Sequence, residues 1–176
     1  MDKKHKIAVL ATLMLVFSIF TLFAFPPVAV CADTGIVQDA FISKKSFQAS
    51  LDTRVSMSKQ FQLRLPVNIT FNTKKAVMLD AGLLLTAYPF ADYGFFAGMT
   101  IVQFCVYKKK LYALNELTVG WTFKIKDRFI IEPSISVRDP SSTFTNEYST
   151  VRGIFPCYTQ IRVHLMIGWQ IVKEET

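Results

Sequence analysis

The residues best suited to chemistry are a histidine, two serines and a glutamate near the end of the chain. Glu132, Ser134 and Ser136 lie in one apolar segment, and His164 lies in the next one. A serine, a histidine and an acid brought together form the activated nucleophile of many hydrolases. A lipid-acting hydrolase is therefore one hypothesis, provided that the two segments present these side chains on one surface. The bland alternative is a buried, hydrogen-bonded histidine among ordinary polar residues, and we favour it.

Other kinds of chemistry have less support. His5 and Cys31 lie in an N-terminal segment that we predict to be cleaved. The one histidine and two separated cysteines that would remain are not a metal-ligand set. The seven glycines form no phosphate-binding loop. Zinc-finger spacing, arginine-rich helices and RNA-binding aromatic motifs are absent from the sequence, which argues against nucleic acid. We predict no catalytic, metal or cofactor-binding residue and no cofactor.

The segment around His164 has the alternation of a β-strand. Arg162 and His164 fall on one face of such a strand, because successive side chains point to opposite sides. The other face is apolar and is predicted to contact lipid. It consists of Ile161, Val163, Leu165, Ile167, Trp169 and Ile171.

The same period of two recurs along the chain and predicts a sheet of long strands. Seven segments are clear, and a weaker one, 36–44, is the candidate for an eighth strand at the start of the sheet. The segment 94–107 is apolar on both faces, so it is either bulged or covered by large side chains. The other clear segments are 47–57, 61–71, 77–86, 116–125, 129–138 and 161–171.

The polar faces of these strands carry charges of both signs, which can pair. An eight-stranded barrel is only wide enough for side chains to fill its interior, so we predict a paired polar core and not an open pore. The predicted lumen residues are Asp52, Arg54, Arg64, Asp80, Glu116, Lys124, Glu132, Arg138, Arg162 and His164.

The N-terminus has the layout of a secretory signal peptide. Three lysines precede the apolar run 7–25, two prolines follow it, and Val30-Cys31-Ala32 supplies small residues at the cleavage positions. We predict residues 1–32 as the signal peptide and 33–176 as one domain. Cleavage would remove three lysines and Asp2 and lower the formal charge from +7 to +5. The alternatives are an uncleaved anchor and a lipoprotein attached through Cys31.

The connections predict how the strands are arranged. Short polar turns at 58–60, 72–75 and 126–128 indicate hairpins, whereas 139–154 is long. If both termini are periplasmic, the long connection and the lysines at 108–110 lie outside the cell. These lysines form the densest basic patch, which we interpret as a solvated turn. Cys105 and Cys157, which remain after cleavage, could pair or could simply pack as apolar residues.

Three features favour a membrane barrel over a soluble β-sandwich. The strands have about the 9–11 residues needed to cross a bilayer. The apolar faces are crowded with phenylalanine, leucine, isoleucine and valine, while the opposite faces carry charge. Aromatic residues such as Tyr88, Phe95, Trp121 and Trp169 lie near strand ends, as interfacial girdles do. The predicted fold class is therefore all-β, with a single antiparallel up-and-down transmembrane barrel of eight strands.

The C-terminal part also resembles a known family. The stretches NELTVGWTFKIKDRFIIEPSISVRDP and GIFPCYTQIRVHLMIGWQI, within about residues 115–171, are similar to small spirochaetal outer-membrane β-barrel proteins of the Gram-negative type. In those proteins an E-L-x-V-G-aromatic strand, a short D-R turn, an I-E-P strand and a final G-aromatic strand recur. The resemblance implies an outer-membrane location and, more loosely, adhesion or transport of small solutes. It assigns no functional residue.

These observations lead to one preferred function and three alternatives. The preferred one is a small integral outer-membrane barrel that is not an enzyme and acts in structure or adhesin-like surface interaction through its extracellular loops. The alternatives are a narrow porin-like channel for small or hydrophobic solutes, a lipid-modifying outer-membrane enzyme and a soluble periplasmic β-sandwich. The expected partners are outer-membrane lipid, the barrel-assembly machinery after Sec-dependent export, and a host or surface ligand, with no nucleic acid.

Overall fold

A computed structural model describes residues 28–33, 35, 46–73, 76–90, 94–126 and 128–171 of the chain. They form nine strands and one helix. The strands are β1 (Val28–Asp33), β2 (Ser46–Ser56), β3 (Phe61–Asn72), β4 (Val77–Ala87), β5 (Gly94–Tyr107), β6 (Lys110–Leu114), β7 (Glu116–Ile125), β8 (Phe129–Arg138) and β9 (Ile161–Gln170). Helix α1 (Thr145–Ile154) lies between β8 and β9.

The sheet closes on itself as an eight-stranded antiparallel barrel. Neighbours in sequence pair along the chain, β1 pairs with β9, and β4 pairs with β5. The short strand β6 pairs with the far end of β5 and leads through Asn115 into β7, which pairs with the beginning of β5. The predicted single antiparallel barrel with strands in sequential order is confirmed.

The barrel has two ends that differ in their connections. The "turn end" carries the short connections between β2 and β3, β4 and β5, and β7 and β8. The "loop end" carries the connections from β1 to β2, β3 to β4, β5 to β6, and β8 through α1 to β9.

Polar side chains fill the interior, and large apolar side chains cover the outside. In β9, for example, Arg162 is completely buried, whereas Val163 and Leu165 are exposed. The same alternation holds in β7, where Thr118 and Thr122 are buried and Trp121 is exposed. This arrangement is the inverse of a soluble barrel, whose apolar side chains point inward.

Strand β5 contains the irregularity that its apolar sequence allowed. Leu83 pairs with Val102, but Leu84 pairs with Thr100, so Ile101 is an extra residue on β5. As a result Ile101 and Val102 are both exposed. The bulge reverses the alternation, which is why no single period fits this segment.

The first strand differs in position from the predicted one. The segment 36–44, proposed as the first strand, lies outside the described residues, and β1 occupies residues 28–33 instead. Cys31 pairs with Asp52 of β2 on one side and with Gly168 of β9 on the other. The predicted cleavage after Ala32 would remove most of this strand, so the signal-peptide boundary stays a prediction that needs a direct test.

Helix α1 and the residues after it cover the loop end. Val151, Phe155 and Tyr158 are buried there in an apolar cluster with Met78 and Leu114. The sequence predicted only a long turn-rich connection, so the helix was missed. No helix within the described part of the chain has the length and apolar character needed to cross a membrane.

Candidate functional site in the barrel lumen

The half of the lumen nearer the turn end is filled by a cluster of buried charges. Glu132 of β8 is completely buried and accepts hydrogen bonds from two arginines. Arg54 donates to it through Nη1 at 2.7 Å and Nη2 at 3.0 Å, and Arg64 through Nη1 at 2.6 Å and Nη2 at 3.1 Å. Thr122 Oγ1 adds a further bond at 2.6 Å. We call this group, together with Asp52, the ion cluster.

The ion cluster is held from several strands at once. Arg54 Nε donates to Asp52 Oδ2 at 2.9 Å, next to it on β2. Arg64 of β3 lies 4.3 Å from the centre of the Phe96 ring and donates to Tyr88 Oη at 2.8 Å. Both arginines keep their charge at any ordinary pH, and planar guanidinium groups suit paired contacts to carboxylate. The cluster therefore fills this half of the lumen with two positive and two negative side chains, of which Asp52 Oδ1 and Arg64 Nε have no hydrogen-bond partner among the described residues.

A second group of polar residues lies nearer the loop end. His164 Nδ1 is 2.7 Å from Asp33 Oδ2, and His164 Nε2 is 2.8 Å from Ser136 Oγ. Glu116 Oε1 lies 3.9 Å from the same Nε2 atom. The four side chains come from β1, β7, β8 and β9, so this group joins the first strand to the last two. We call it the histidine relay.

The histidine relay has the residue types and order of a serine hydrolase triad, but its nucleophile is not accessible. Ser136 has no exposed surface, and its hydroxyl contacts His164 inside the barrel. Glu132, the acid considered from the sequence, belongs to the ion cluster, and Asp33 takes the place beside His164. Ser134 is the cross-strand neighbour of His164 in the sheet. The geometry thus selects Ser136 and Asp33 as the partners of His164.

Two further predicted lumen charges, Arg138 and Asp80, lie beneath the residues that cover the loop end. Arg138 lies 3.7 Å from the Tyr158 ring centre, and its Nε donates to Glu116 Oε2 at 3.3 Å. Asp80 accepts hydrogen bonds from Asn68, Gln103 and Tyr158, which compensate for its complete burial.

The residues predicted for the lumen are all buried or partly buried. Asp52, Arg54, Arg64, Asp80, Glu132, Arg138 and Arg162 are buried inside the barrel. Glu116 and His164 are partly buried, and so is Lys124, close to the end of β7. Arg162 also donates to the carbonyl of Cys157 at 3.4 Å. The structure brings eight of these ten residues into the ion cluster, the histidine relay and the contacts around Arg138 and Asp80. Arg162 and Lys124 are members of none of these groups.

A small polar cavity separates the ion cluster from the groups above it. Its volume is about 60 Å³, which is room for a few water molecules and not for a lipid chain. Asp52 and Arg64 border it on one side, and Glu116, Arg138 and His164 on the other.

Metal and disulfide chemistry gain no support. Within the described residues no group of three or more histidine, cysteine or acidic side chains is placed to hold a metal ion. Cys31, Cys105 and Cys157 are all buried, and no disulfide joins them. Cys105 and Cys157 both belong to the apolar cluster beneath α1, where they pack as small apolar side chains.

The outer surface forms an apolar belt. Residues predicted to face lipid in the final strand (Ile161, Val163, Leu165, Ile167, Trp169 and Ile171) are all exposed. Aromatic side chains collect towards the turn end, where Phe129 packs edge-on against Trp169 and Trp121 lies beside Phe123. A soluble monomer rarely exposes so many large apolar side chains in one continuous surface.

Two tyrosines fix the cover over the loop end. Tyr148 of α1 donates to the backbone carbonyl of Asn115, and Tyr158 donates to Asp80 Oδ2 at 3.1 Å. Burial raises the pKa of both phenols well above its ordinary value, so both remain neutral donors. Asn72 donates to the carbonyl of Ile154 at the end of the helix. The helix and the residues after it are therefore attached to β3, β4 and the β6–β7 junction.

No known protein family, curated protein or solved structure matches this chain. The functional assignment must therefore come from the geometry of the barrel itself.

Proposed function

We propose that this chain is a small integral outer-membrane β-barrel that is not an enzyme and acts in structure or surface interaction through its loop end. The observation that carries the proposal is the inverted barrel, with apolar side chains outside and the ion cluster inside. A closed sheet leaves no unpaired backbone edge in lipid, and an exposed apolar belt needs lipid to cover it. On this proposal the chain is exported by the Sec pathway and inserted by the barrel-assembly machinery.

The contacts in the lumen favour this function over a channel. Arg54, Arg64 and Glu132 meet at the centre of the barrel, and each guanidinium makes two hydrogen bonds to the carboxylate. Helix α1 and the residues after it cover the loop end, where Phe155 and Tyr158 are buried. A solute would have to break these charge-assisted bonds and displace the cover in order to pass.

The contacts also favour a binding role over lipid hydrolysis. Ser136 is buried in the interior of the barrel, whereas lipid would contact only its outer surface. The adjoining cavity is about 60 Å³, too small for an acyl ester. The variant His164→Ala tests this alternative, because unchanged lipid composition and turnover are expected. Altered lipid turnover would favour the enzyme.

Extraction and electrophoresis test the proposal directly. We expect the chain to fractionate with outer membranes, to require detergent for extraction and to migrate differently in gels before and after boiling. Protease added to intact cells should cut within 139–154 if the loop end is extracellular. A soluble periplasmic β-sandwich would be released without detergent and show no heat-dependent mobility, and that result would reject the proposal.

A further inference from the structure

Three buried polar atoms on one wall of the lumen have no hydrogen-bond partner among the described residues. They are Ser50 Oγ, Asp52 Oδ1 and Arg64 Nε. Ser50 and Asp52 lie on the same face of β2, and Arg64 lies on β3, which pairs with β2. Ser50 is 8% exposed, and the other two side chains are 2% exposed each. A buried polar atom without a partner is costly, because it has given up its hydrogen bonds to solvent.

These three side chains all border the small cavity between the ion cluster and the histidine relay. Glu116 and His164 border the same cavity from the other side of the lumen. Its volume of about 60 Å³ is room for a few water molecules. Apart from Pro66, Leu84 and Met166, every residue that lines it is polar or charged. Cavities that stay dry in proteins are lined by apolar side chains, so this lining favours a polar occupant.

The chemistry of the unpaired atoms restricts what the occupant can be. Asp52 Oδ1 belongs to a carboxylate that is paired with arginine, so it accepts hydrogen bonds, whereas Arg64 Nε–H can only donate. A metal cation cannot accept from Arg64 and would be repelled by it and by Arg138. A halide ion cannot donate to Asp52 and would be repelled by it and by Glu116. A water molecule donates and accepts, and the hydroxyl of Ser50 can bind it in either direction.

We propose that this cavity is a binding site for ordered water molecules that bridge the ion cluster to the histidine relay. Water bound here accepts from Arg64 Nε–H and donates to Asp52 Oδ1 on one side of the lumen, and it donates to the carboxylate of Glu116 on the other. Such bridges are nearly as favourable as direct hydrogen bonds. Because the cavity lies inside the barrel, the water site is independent of what covers the outer surface.

Nuclear magnetic resonance of the ¹⁵N-labelled full chain, folded in deuterated detergent, tests the proposal. Through-bond spectra assign the Nε–H signals of the arginines. We expect a nuclear Overhauser cross-peak between Arg64 Nε–H and water, whose sign in the rotating frame distinguishes it from chemical exchange. Arg54 is a control within the same molecule, because its Nε–H donates directly to Asp52 Oδ2 at 2.9 Å. Its Nε–H should show no cross-peak to water.

Three results would overturn the proposal. The first is the lack of a water cross-peak at Arg64, which would show that the cavity is dry. The second is an equal cross-peak at Arg54, which would show that water passes generally through the lumen and has no defined site. The third is a shift of the Arg64 Nε–H signal when bromide replaces chloride in the buffer, which would identify an anion as the occupant.

A cavity-filling variant locates the bound water. Ser50→Val removes one hydroxyl and adds apolar volume beside Asp52, so the water cross-peak at Arg64 should fall about twofold or more. Ser149→Val makes the same change on the exposed surface of α1 and should leave the cross-peak as it is in the wild type. An unchanged cross-peak in folded Ser50→Val would place the water elsewhere and reject the site. If Ser50→Val does not fold, the comparison of Arg64 with Arg54 in the wild type still decides.

Discussion

Glu132 is the residue on which the interior charge balance depends most. It lies between Arg54 and Arg64 and also accepts from Thr122, with no exposed surface. Removing one partner of a buried ion pair leaves the others buried without compensation, which is far more costly than losing a surface pair. The two arginines would then repel each other across the lumen.

We predict that Glu132→Gln lowers the free energy of unfolding by about 3–5 kcal/mol. The amide keeps the shape of the side chain but has no charge for the two guanidinium groups. Urea unfolding in detergent micelles, followed by gel mobility without boiling, measures the change. Glu116→Gln is the matched control, since Glu116 pairs with Arg138 at a longer 3.3 Å and is less buried. Equal losses in the two variants would contradict the special role of Glu132.

For single residues, the sequence predicted which side chains face the lumen, but it did not predict which of the charged side chains contact one another. Period two places Arg54, Arg64 and Glu132 on the inner face without any structure. The choice of Glu132 by both arginines depends on strand stagger and on which strands meet across the lumen. Asp33 beside His164 could not be predicted, because it stood at the edge of the predicted signal peptide and outside any predicted strand. A barrel closed by residues 28–33 supplies that missing carboxylate.

Among the elements, β1 and α1 departed most from the sequence-based expectation. Residues 28–32 are small and apolar, and they resemble a signal-peptide end as much as a strand. Only their pairing with β2 and β9 identifies them as part of the sheet. Helix α1 is preceded by Phe144, which cannot cap it with a side-chain hydrogen bond, and buries Val151 alone, so its sequence carries little helical signal. The long hairpins, with polar turns between alternating runs, were predicted close to their observed bounds.

We predict that the mature chain begins upstream of Val28, because the barrel needs β1 to close. Mass spectrometry of the exported protein measures its N-terminus directly. A mature chain that begins at Asp33 would contradict the prediction and show that another segment closes the barrel.

Gly168 offers an independent check of the same strand. A Cβ atom on Gly168 would lie 2.2 Å from Cys31 Sγ and 2.7 Å from the carbonyl oxygen of Val30, so Gly168→Ala should force β1 and β9 apart if β1 is in place. We expect the free energy of unfolding to fall by about 1–3 kcal/mol. Gly153→Ala is the control, because a Cβ atom there would have no neighbour within 4 Å. Urea unfolding in detergent micelles compares the two variants, and equal stability of Gly168→Ala and the wild type would contradict the position of β1.

For the whole molecule, the side chains that fill the lumen predict that the barrel conducts no ions. In planar bilayers the folded wild type should give no single-channel steps, because the ion cluster blocks the lumen. Arg64→Ala/Glu132→Ala removes two of the largest side chains from the block and should give measurable steps in the fraction that still folds. Lys59→Gln, at the turn end, should stay silent. Steps from the wild type would favour the narrow-channel alternative.

The pairing of β1 with β9 also has a consequence for the order of events during assembly. The residues that meet at this seam, Asp33 and His164 among them, are separated by 131 positions in the chain. Until the last strand arrives, β1 has no partner on that side and the histidine relay does not exist. The ion cluster, in contrast, has most of its members as soon as Glu132 of β8 contacts Arg54 of β2 and Arg64 of β3 across the lumen. The ion cluster can therefore form before the barrel closes, and the pairing of β1 with β9 is the last step of assembly.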